Sequence, residues 1–139
     1  MKNKVGYAVH ITCGRYLARC ETDLSLEEIH NLLECRHIEV VHMKDFPLSN
    51  IVMIIDEEGK CKEHSVNPIA SVLYGAEGDY IAGEALLVKV DTVNGETDIV
   101  PMTEREADTV AGFVSMLLGA YVAEEINTSA KSAKGGQYG

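Results

Sequence analysis

The amino-acid sequence predicts an α+β fold, a mostly antiparallel sheet with two short helices and a long C-terminal helix. Residues 51–55 form an unbroken apolar run, which is typical of a strand that is covered on both faces. Asn94-Gly95 is the strongest hairpin-turn signal in the chain. Apolar residues recur at helical spacing between Val110 and Val122, which indicates a long helix packed on the sheet.

Strands are predicted where β-branched and other apolar residues run between turn residues. The strands that begin and end the stretch 51–90 are the most apolar, so we expect them at the centre of the sheet. The first two strands would form a hairpin through a turn at Cys13-Gly14. In chain order, the predicted strands are residues 5–12, 15–21, 37–43, 51–55, 80–90 and 97–100.

Helix starts are marked by side chains that accept hydrogen bonds from free backbone N–H groups. Two of the three starts have the S/T-x-x-E spacing of a capping box, and the other places proline at the first helical position. The predicted helices end near Cys35, Tyr74 and Ile126. The three starts are Ser25 with Glu28, Asn67 with Pro68, and Thr103 with Glu106.

Three glycines are expected to have special backbone roles. Gly59 ends the acidic turn at residues 56–58 and is predicted to take the left-handed conformation. Gly83 lies inside the predicted strand 80–90, as a bulge or as a site where another backbone approaches closely. Gly14 would supply the positive φ of the first hairpin turn.

The length of 139 residues is that of one domain, which we place at residues 1–126, followed by a tail at 127–139. The formal net charge of −10 disfavours binding to nucleic acid or to an anionic membrane. No segment reaches the roughly 18 uncharged apolar residues of a membrane-spanning helix. The start of the sequence lacks the pattern of a signal peptide, and the four cysteines are expected to be reduced, which predicts a cytoplasmic location.

Two pairs, Cys35 with His37 and Cys61 with His64, would give a tetrahedral metal site if the fold brought them together. Their spacings do not match a zinc knuckle, so we predict neither a metal nor another cofactor. Cys61 beside His64 is also a candidate for nucleophilic catalysis, but the sequence has no nucleophile-elbow motif to accompany it. We therefore predict that the protein is not an enzyme.

Basic and aromatic residues near the C terminus form the candidate ligand site. Arg105 lies at the start of the long helix, and Lys131, Lys134 and Tyr138 lie in the tail beside two glycines. A tail folded over a small anion would supply positive charge, free backbone N–H groups and a ring that stacks on a base. A solvated tail without a ligand is the alternative.

The long helix also has a row of small residues at every fourth position, where a second backbone can approach closely. The apolar stripe of this helix is expected to pack against its own sheet. The small row is a candidate contact with a second subunit, so that residues 103–126 would mediate a homo-oligomer. The row consists of Ala111, Ser115, Gly119 and Ala123.

Four short segments in the core match a known family in order and spacing. They are HIEVV from His37, DEEGK from Asp56, NPIA from Asn67 and DYIAG from Asp79. Through these segments, residues 16–90 resemble a family of unknown function that is carried mainly by phages and other mobile elements of bacteria. The family usually has glycines before the first segment, where this chain has Glu34-Cys35-Arg36. The resemblance implies an accessory protein of a mobile element, a class in which many members counter host defence, and it supplies no catalytic residues.

Two hypotheses of function follow for a protein acting in the cytoplasm of a bacterial host. The first is a non-enzymatic, counter-defence oligomer that acts as a sponge, which means that it sequesters a small anionic molecule, in particular a nucleotide signal. The alternative is an acidic inhibitor, whose net charge of −10 would hold a basic host defence protein. Neither hypothesis involves nucleic acid or a membrane as a partner.

Overall fold

A computed structural model describes residues 5–14, 16–44, 46–62 and 64–119, and in these ranges the chain forms six strands and three helices. The α+β architecture is the one that the sequence predicts. The elements are β1 (Gly6–Ile11), β2 (Leu17–Thr22), α1 (Leu26–Leu33), β3 (Ile38–Val41), β4 (Ile51–Asp56), α2 (Pro68–Tyr74), β5 (Ala85–Val93), β6 (Glu96–Val100) and α3 (104–119).

The strands form one antiparallel sheet in the order β2-β1-β5-β4-β3. Leu87 at the centre of β5 is in register with Val9 of β1 on one side and with Met53 of β4 on the other. The outer half of β5, from Lys89 to Val93, pairs with β6 as the predicted hairpin. The two strands of the central apolar stretch therefore lie where the sequence places them, in the middle of the sheet.

Every residue of β4 is buried, because helices cover both faces of the sheet. Alternate strand residues point to opposite faces. Val52 and Ile54 belong to the cluster under α1, which contributes Ile29 and Leu33. The opposite cluster contains the remaining apolar residues of β4 and the buried residues of the other two helices, which are Ile69, Ala70, Leu73, Ala107, Val110 and Val114.

The predicted helix caps are present as hydrogen bonds. Ser25 Oγ accepts from the N–H of Glu28 at 3.2 Å, although the N–H of Ser25 donates to Asp23 instead of to Glu28. Thr103 and Glu106 form the complete reciprocal box, with distances of 3.1 and 2.9 Å. These caps satisfy free N–H groups at the first turns of α1 and α3.

The predicted strand 80–90 begins too early. β5 starts at Ala85, and the segment before it pairs with a different partner, since Ala82 forms an isolated bridge with Val66. Gly83 has a φ of 92° and donates its N–H to Ser65 at 2.9 Å. A positive φ turns the chain out of the sheet, which is why the apolar pattern continues across the boundary but the strand does not.

Gly59 does not take the left-handed conformation, and neither does Gly14, so both predictions of a positive φ were wrong. At Gly59 the requirement is space: a Cβ atom there would clash with the carbonyl oxygen of Ala82. The turn is closed by the N–H of Gly59, which donates to the carbonyl of Asp56 at 3.1 Å. The glycine thus allows the turn after β4 to pack directly on the segment before β5.

The long helix α3 packs against its own sheet through Val110 and Val114, which are each 1% exposed. The apolar stripe is narrower than predicted, since Leu117 is 43% exposed. In the row of small residues, Ser115 and Gly119 are exposed, whereas the last member of the row, and the predicted domain limit at 126, lie outside the described residues. No helix in the described part of the chain is long and apolar enough to cross a membrane.

Asn67 joins three parts of the fold and is fully buried. Its side-chain oxygen accepts from the N–H of Ala70 at 3.1 Å and so caps α2. Its side-chain nitrogen donates to the carbonyls of Ile11 and Gly83 at 3.0 and 2.9 Å. The end of β1, the segment before β5 and the start of α2 are therefore held by one amide group.

Replacing Asn67 with alanine is expected to lower the free energy of unfolding by about 3 kcal/mol. The change removes a helix cap and takes one donor away from each of two buried carbonyl groups. Chemical denaturation of the variant and the wild type measures the difference. As a control, Asn31→Ala alters an exposed side chain on α1 and should change stability by no more than about 0.5 kcal/mol. A loss of less than about 1 kcal/mol for Asn67→Ala would contradict the role of this amide.

Candidate functional site

Polar side chains collect at one end of the sheet. Ala85, the first residue of β5, is in register with Ile11 at the end of β1 and with Ile55 near the end of β4. The loops at this end, 57–66 and 75–84, therefore lie close together although they are far apart in the sequence. These two loops contain most of the candidate functional side chains that the structure brings together.

Asp56 is the most buried carboxylate of this group, with a side chain that is 1% exposed. It accepts from Lys62 Nζ at 2.8 Å and from the N–H of Glu58 at 2.9 Å, and His64 Nε2 lies 3.3 Å away. Burial raises the pKa of Asp56, but Lys62, the Glu58 N–H and His64 outweigh it, and the pKa lies below its ordinary value. Asp56 is thus an ionised, fully partnered group that holds the loop 57–66 on the sheet.

Glu84 stands between His10 and Cys13, and these three residues form the Glu84 cluster. Its Oε1 lies 3.1 Å from His10 Nε2, without the alignment of a hydrogen bond, and its Oε2 accepts from the N–H of Cys13 at 2.9 Å. Cys13 Sγ donates to the carbonyl of Ser65 at 3.4 Å. Burial, and then the neighbouring Glu84, raise the pKa of the Cys13 thiol. A thiol kept protonated is a poor nucleophile, so the surroundings of Cys13 do not activate it.

The Cys/His pairs do not form the metal site that their composition allows. Cys35 is buried under α1, Cys61 is exposed, and His64 faces Asp56. Over the described ranges, no group of three or more His, Cys, Asp or Glu side chains is arranged to hold a metal ion. All four cysteines are free thiols.

A cleft of about 150 Å³ opens between the β3–β4 edge and the loop 75–84, on the face covered by α2. Lys60 Nζ lies 4.6 Å from the centre of the Tyr80 ring and forms an ion pair with Asp79. The N–H of Tyr80 donates to the same Asp79 carboxylate at 2.8 Å. The polar and aromatic residues that line the cleft are Glu39, Asp56, Glu57, Lys60, Tyr74, Asp79 and Tyr80.

A second, more open groove of about 590 Å³ runs between the β5–β6 hairpin and the start of α3. Asp91 and Asp98 are directly opposite each other across the hairpin, and both are exposed. Asp23 and Glu106 add two carboxylates to the lining, and Lys89 pairs with Glu106 at 2.8 Å. The groove is therefore strongly acidic.

The predicted ligand-binding residues are described only in part. Arg105 is exposed on the first turn of α3, as the candidate ligand site requires. Lys131, Lys134 and Tyr138 lie outside the described residues, so their contribution stays a prediction. The residues of the cleft and the Glu84 cluster were assigned no role from the sequence.

Replacing Asp56 with asparagine is expected to lower the free energy of unfolding by about 2 kcal/mol at neutral pH, because the ion pair and its charge-assisted hydrogen bonds are lost. A carboxyl whose pKa is lowered by folding stabilises the fold above its unfolded pKa and loses this effect as the pH falls through its folded pKa. The advantage of the wild type should therefore be complete above the ordinary pKa of 3.8 and shrink below it.

Urea denaturation of both proteins at about pH 7 and about pH 3 measures this difference. Glu77→Gln serves as the control, because Glu77 is exposed on a loop and its loss should leave stability nearly unchanged at both pH values. An Asp56→Asn deficit that is the same at both pH values would show that the charge of Asp56 is not what stabilises the loop.

A comparison with curated proteins finds no significant match. Among solved structures, the crystal structure of the small RNA methyltransferase HEN1 is similar, with a TM-score of 0.55 and 17% sequence identity. The similar region covers 80% of this chain and 16% of that chain. At this identity the likeness shows the fold alone, and this chain spans less than a fifth of that protein.

Residues 8–112 match the model of a family described as Domain of unknown function (DUF3846). The match includes the sheet, α1, α2 and the first part of α3, and with them the cleft, the Glu84 cluster and the acidic groove. The expectation of an uncharacterised family is thereby confirmed. This chain belongs to the DUF3846 family, a domain of unknown function.

Proposed function

We propose that this protein is a non-catalytic binding protein that holds a basic partner protein on its acidic surface. The observation that carries this proposal is the pairing of Asp91 with Asp98 in the acidic groove. Like charges directly opposite each other on a sheet are destabilising. A lysine or arginine from a partner would relieve that repulsion, so the hairpin gains stability when a cation binds there.

The distribution of the basic residues supports the same partner. Arg19 pairs with Glu104 at 2.8 Å and with Asp108 at 3.2 Å, and Lys89 pairs with Glu106. These cations are neutralised by the protein itself, which leaves an excess of carboxylates facing the solvent. A net charge of −10 attracts basic surfaces over long distances and speeds their association.

The biological setting belongs to the same proposal. The resemblance to a family carried mainly by phages and mobile elements suggests an accessory protein acting in the bacterial cytoplasm. A basic host defence protein is then the partner that we propose, since many defence proteins bind nucleic acid and have basic surfaces for it.

The double variant Asp91→Asn, Asp98→Asn is expected to lose most of the binding to basic proteins. Tagged full-length protein is incubated with a bacterial lysate at low salt, and the captured proteins are eluted with increasing NaCl and identified by mass spectrometry. We expect captured proteins with basic isoelectric points, released as rising salt screens the charges.

The matched control is Glu34→Gln, Glu77→Gln, which removes the same charge from exposed positions in other loops. It should capture nearly as much as the wild type. Equal losses in both double variants would show that net charge and not the groove holds the partner. Capture that does not weaken with salt would contradict an electrostatic interface.

A nucleotide sponge is the second candidate, and the exposure of α3 favours it. Arg105 is exposed and can reach an anion, and Ser115 and Gly119 are exposed at positions where their small size would let a second α3 helix lie close. In this case the ligand would bind between subunits, with Lys131, Lys134 and Tyr138 completing the site.

The sponge hypothesis predicts an oligomer in native mass spectrometry and a thermal shift with a cyclic or linear nucleotide. At a ligand concentration about 100 times Kd, binding would add about 2.7 kcal/mol of stability, which raises Tm by several degrees. Arg105→Ala should reduce the shift, whereas Arg36→Ala, which changes an exposed arginine far from α3 in the sequence, should not. A monomer whose Tm is unchanged by every nucleotide would exclude the sponge.

A further inference from the structure

We propose that the cleft beside Tyr80 binds a lysine or arginine side chain of a partner protein, and that Lys60 occupies this position when the partner is absent. The inference rests on the proposed function, since it names a second contact for the same basic partner. It is carried by a different observation, the geometry of Lys60, Asp79 and Tyr80, and it can fail independently.

The side chains that line the cleft suit a cation. Val41, Ile55 and Ile81 are also part of the lining, but each is at most 8% exposed, so they offer only a small apolar contact to the methylene groups of a lysine or arginine. Glu39 and Glu57 line the same cleft as Asp79 and offer carboxylates to the charged head. With Lys60 in place on its wall, the cleft has a free volume of about 150 Å³, which is that of a cavity for a benzene-sized group, and the departure of Lys60 from Tyr80 and Asp79 would add to this volume.

Lys60 shows how such a cation is held. Its Nζ lies over the Tyr80 ring, 4.6 Å from the centroid, and forms an ion pair with Asp79. The N–H of Tyr80 donates to that carboxylate at 2.8 Å and fixes its position. Lys60 lowers the pKa of Asp79, so the carboxylate is ionised at neutral pH. The chain thus contains a ring and a carboxylate arranged around an ammonium group of its own.

The exposure of this pair makes the exchange feasible. The Lys60 and Asp79 side chains are 45% and 39% exposed, in contrast to Asp56, which is 1% exposed. An exposed ion pair contributes little to stability, so Lys60 can leave without unfolding the loop. Arginine should compete better than lysine, because its planar guanidinium stacks on an aromatic ring while it donates to a carboxylate through two N–H groups.

The test adds N-acetyl-arginine amide, as the probe, to the full chain. Binding is monitored by the changes in the ¹H–¹⁵N NMR spectrum of the protein. The Tyr80 N–H is the reporter, because it donates to Asp79. In Lys60→Met, which keeps the apolar stem and removes the competing charge, the probe should shift the Tyr80 resonance in a saturable way. The probe should bind Lys60→Met with an affinity about tenfold higher than it binds the wild type. Asp79→Asn in the Lys60→Met background should abolish the shift, and the same spectra report whether each variant is folded.

Two controls separate the site from general charge effects. N-acetyl-citrulline amide has nearly the same shape as the arginine probe without its charge, and it should not shift Tyr80. Lys44→Met removes an exposed lysine that does not line the cleft, and it should bind the arginine probe as the wild type does. The inference is overturned if Lys60→Met shows no saturable shift, or if citrulline produces the same shift as arginine.

The capture experiment of the preceding subsection distinguishes failure of this inference from failure of the proposed function. If Asp79→Asn captures basic proteins as well as the wild type while Asp91→Asn, Asp98→Asn does not, the cleft inference fails and the acidic-surface function stands. If the arginine probe binds at Tyr80 but no basic protein is captured by the wild type, the cleft stands and the proposed function fails.

Discussion

The buried amide of Asn67 is the interaction on which the rest of the fold depends. Its three hydrogen bonds join α2, the end of β1 and the segment before β5, and its own N–H donates to Ile81 at 2.8 Å. A buried polar side chain is stabilising only when each of its groups has a partner. Here each does, so that one residue satisfies backbone groups from three segments and fixes their relative positions.

The junction at Asn67 determines where the candidate functional side chains lie. Asn67 holds Ile81 and Gly83, so the loop 75–84 is fixed at its C-terminal end. Gly59 brings the turn after β4 against Ala82, since no side chain would fit between them. Lys60 therefore lies within reach of Asp79 and Tyr80. The cleft exists because two loops are packed by backbone contacts, and its side chains are free to have other roles.

Local patterns predicted the elements, and long-range packing determined the rest. The capping residues and the apolar run of β4 specify their own segments through neighbours a few positions away, so these features could be read from the sequence. The start of the predicted strand 80–90 could not, because Gly83 turns toward Ser65, which is outside the strand. Similarly, Cys13 and Glu84 are 71 residues apart, and no spacing rule relates them. The cleft could not be predicted either, because it forms between two loops whose contact follows only from the order of the strands in the sheet.

Two ion pairs, formed by two lysines of the same short loop, show how burial separates structural from exchangeable charges. Asp56 is enclosed and has partners on several sides, so removing Lys62 would leave a buried charge without its main partner. Asp79 faces the solvent on one side, so a departing Lys60 would be replaced by water at little cost, or by a cation from outside. Two lysines that are two positions apart in the sequence thus have different effects: Lys62 anchors the loop, and Lys60 leaves a carboxylate open to a competitor. An acidic protein that keeps its exposed carboxylates beside weakly held lysines can be neutralised by a basic partner without any change in its fold.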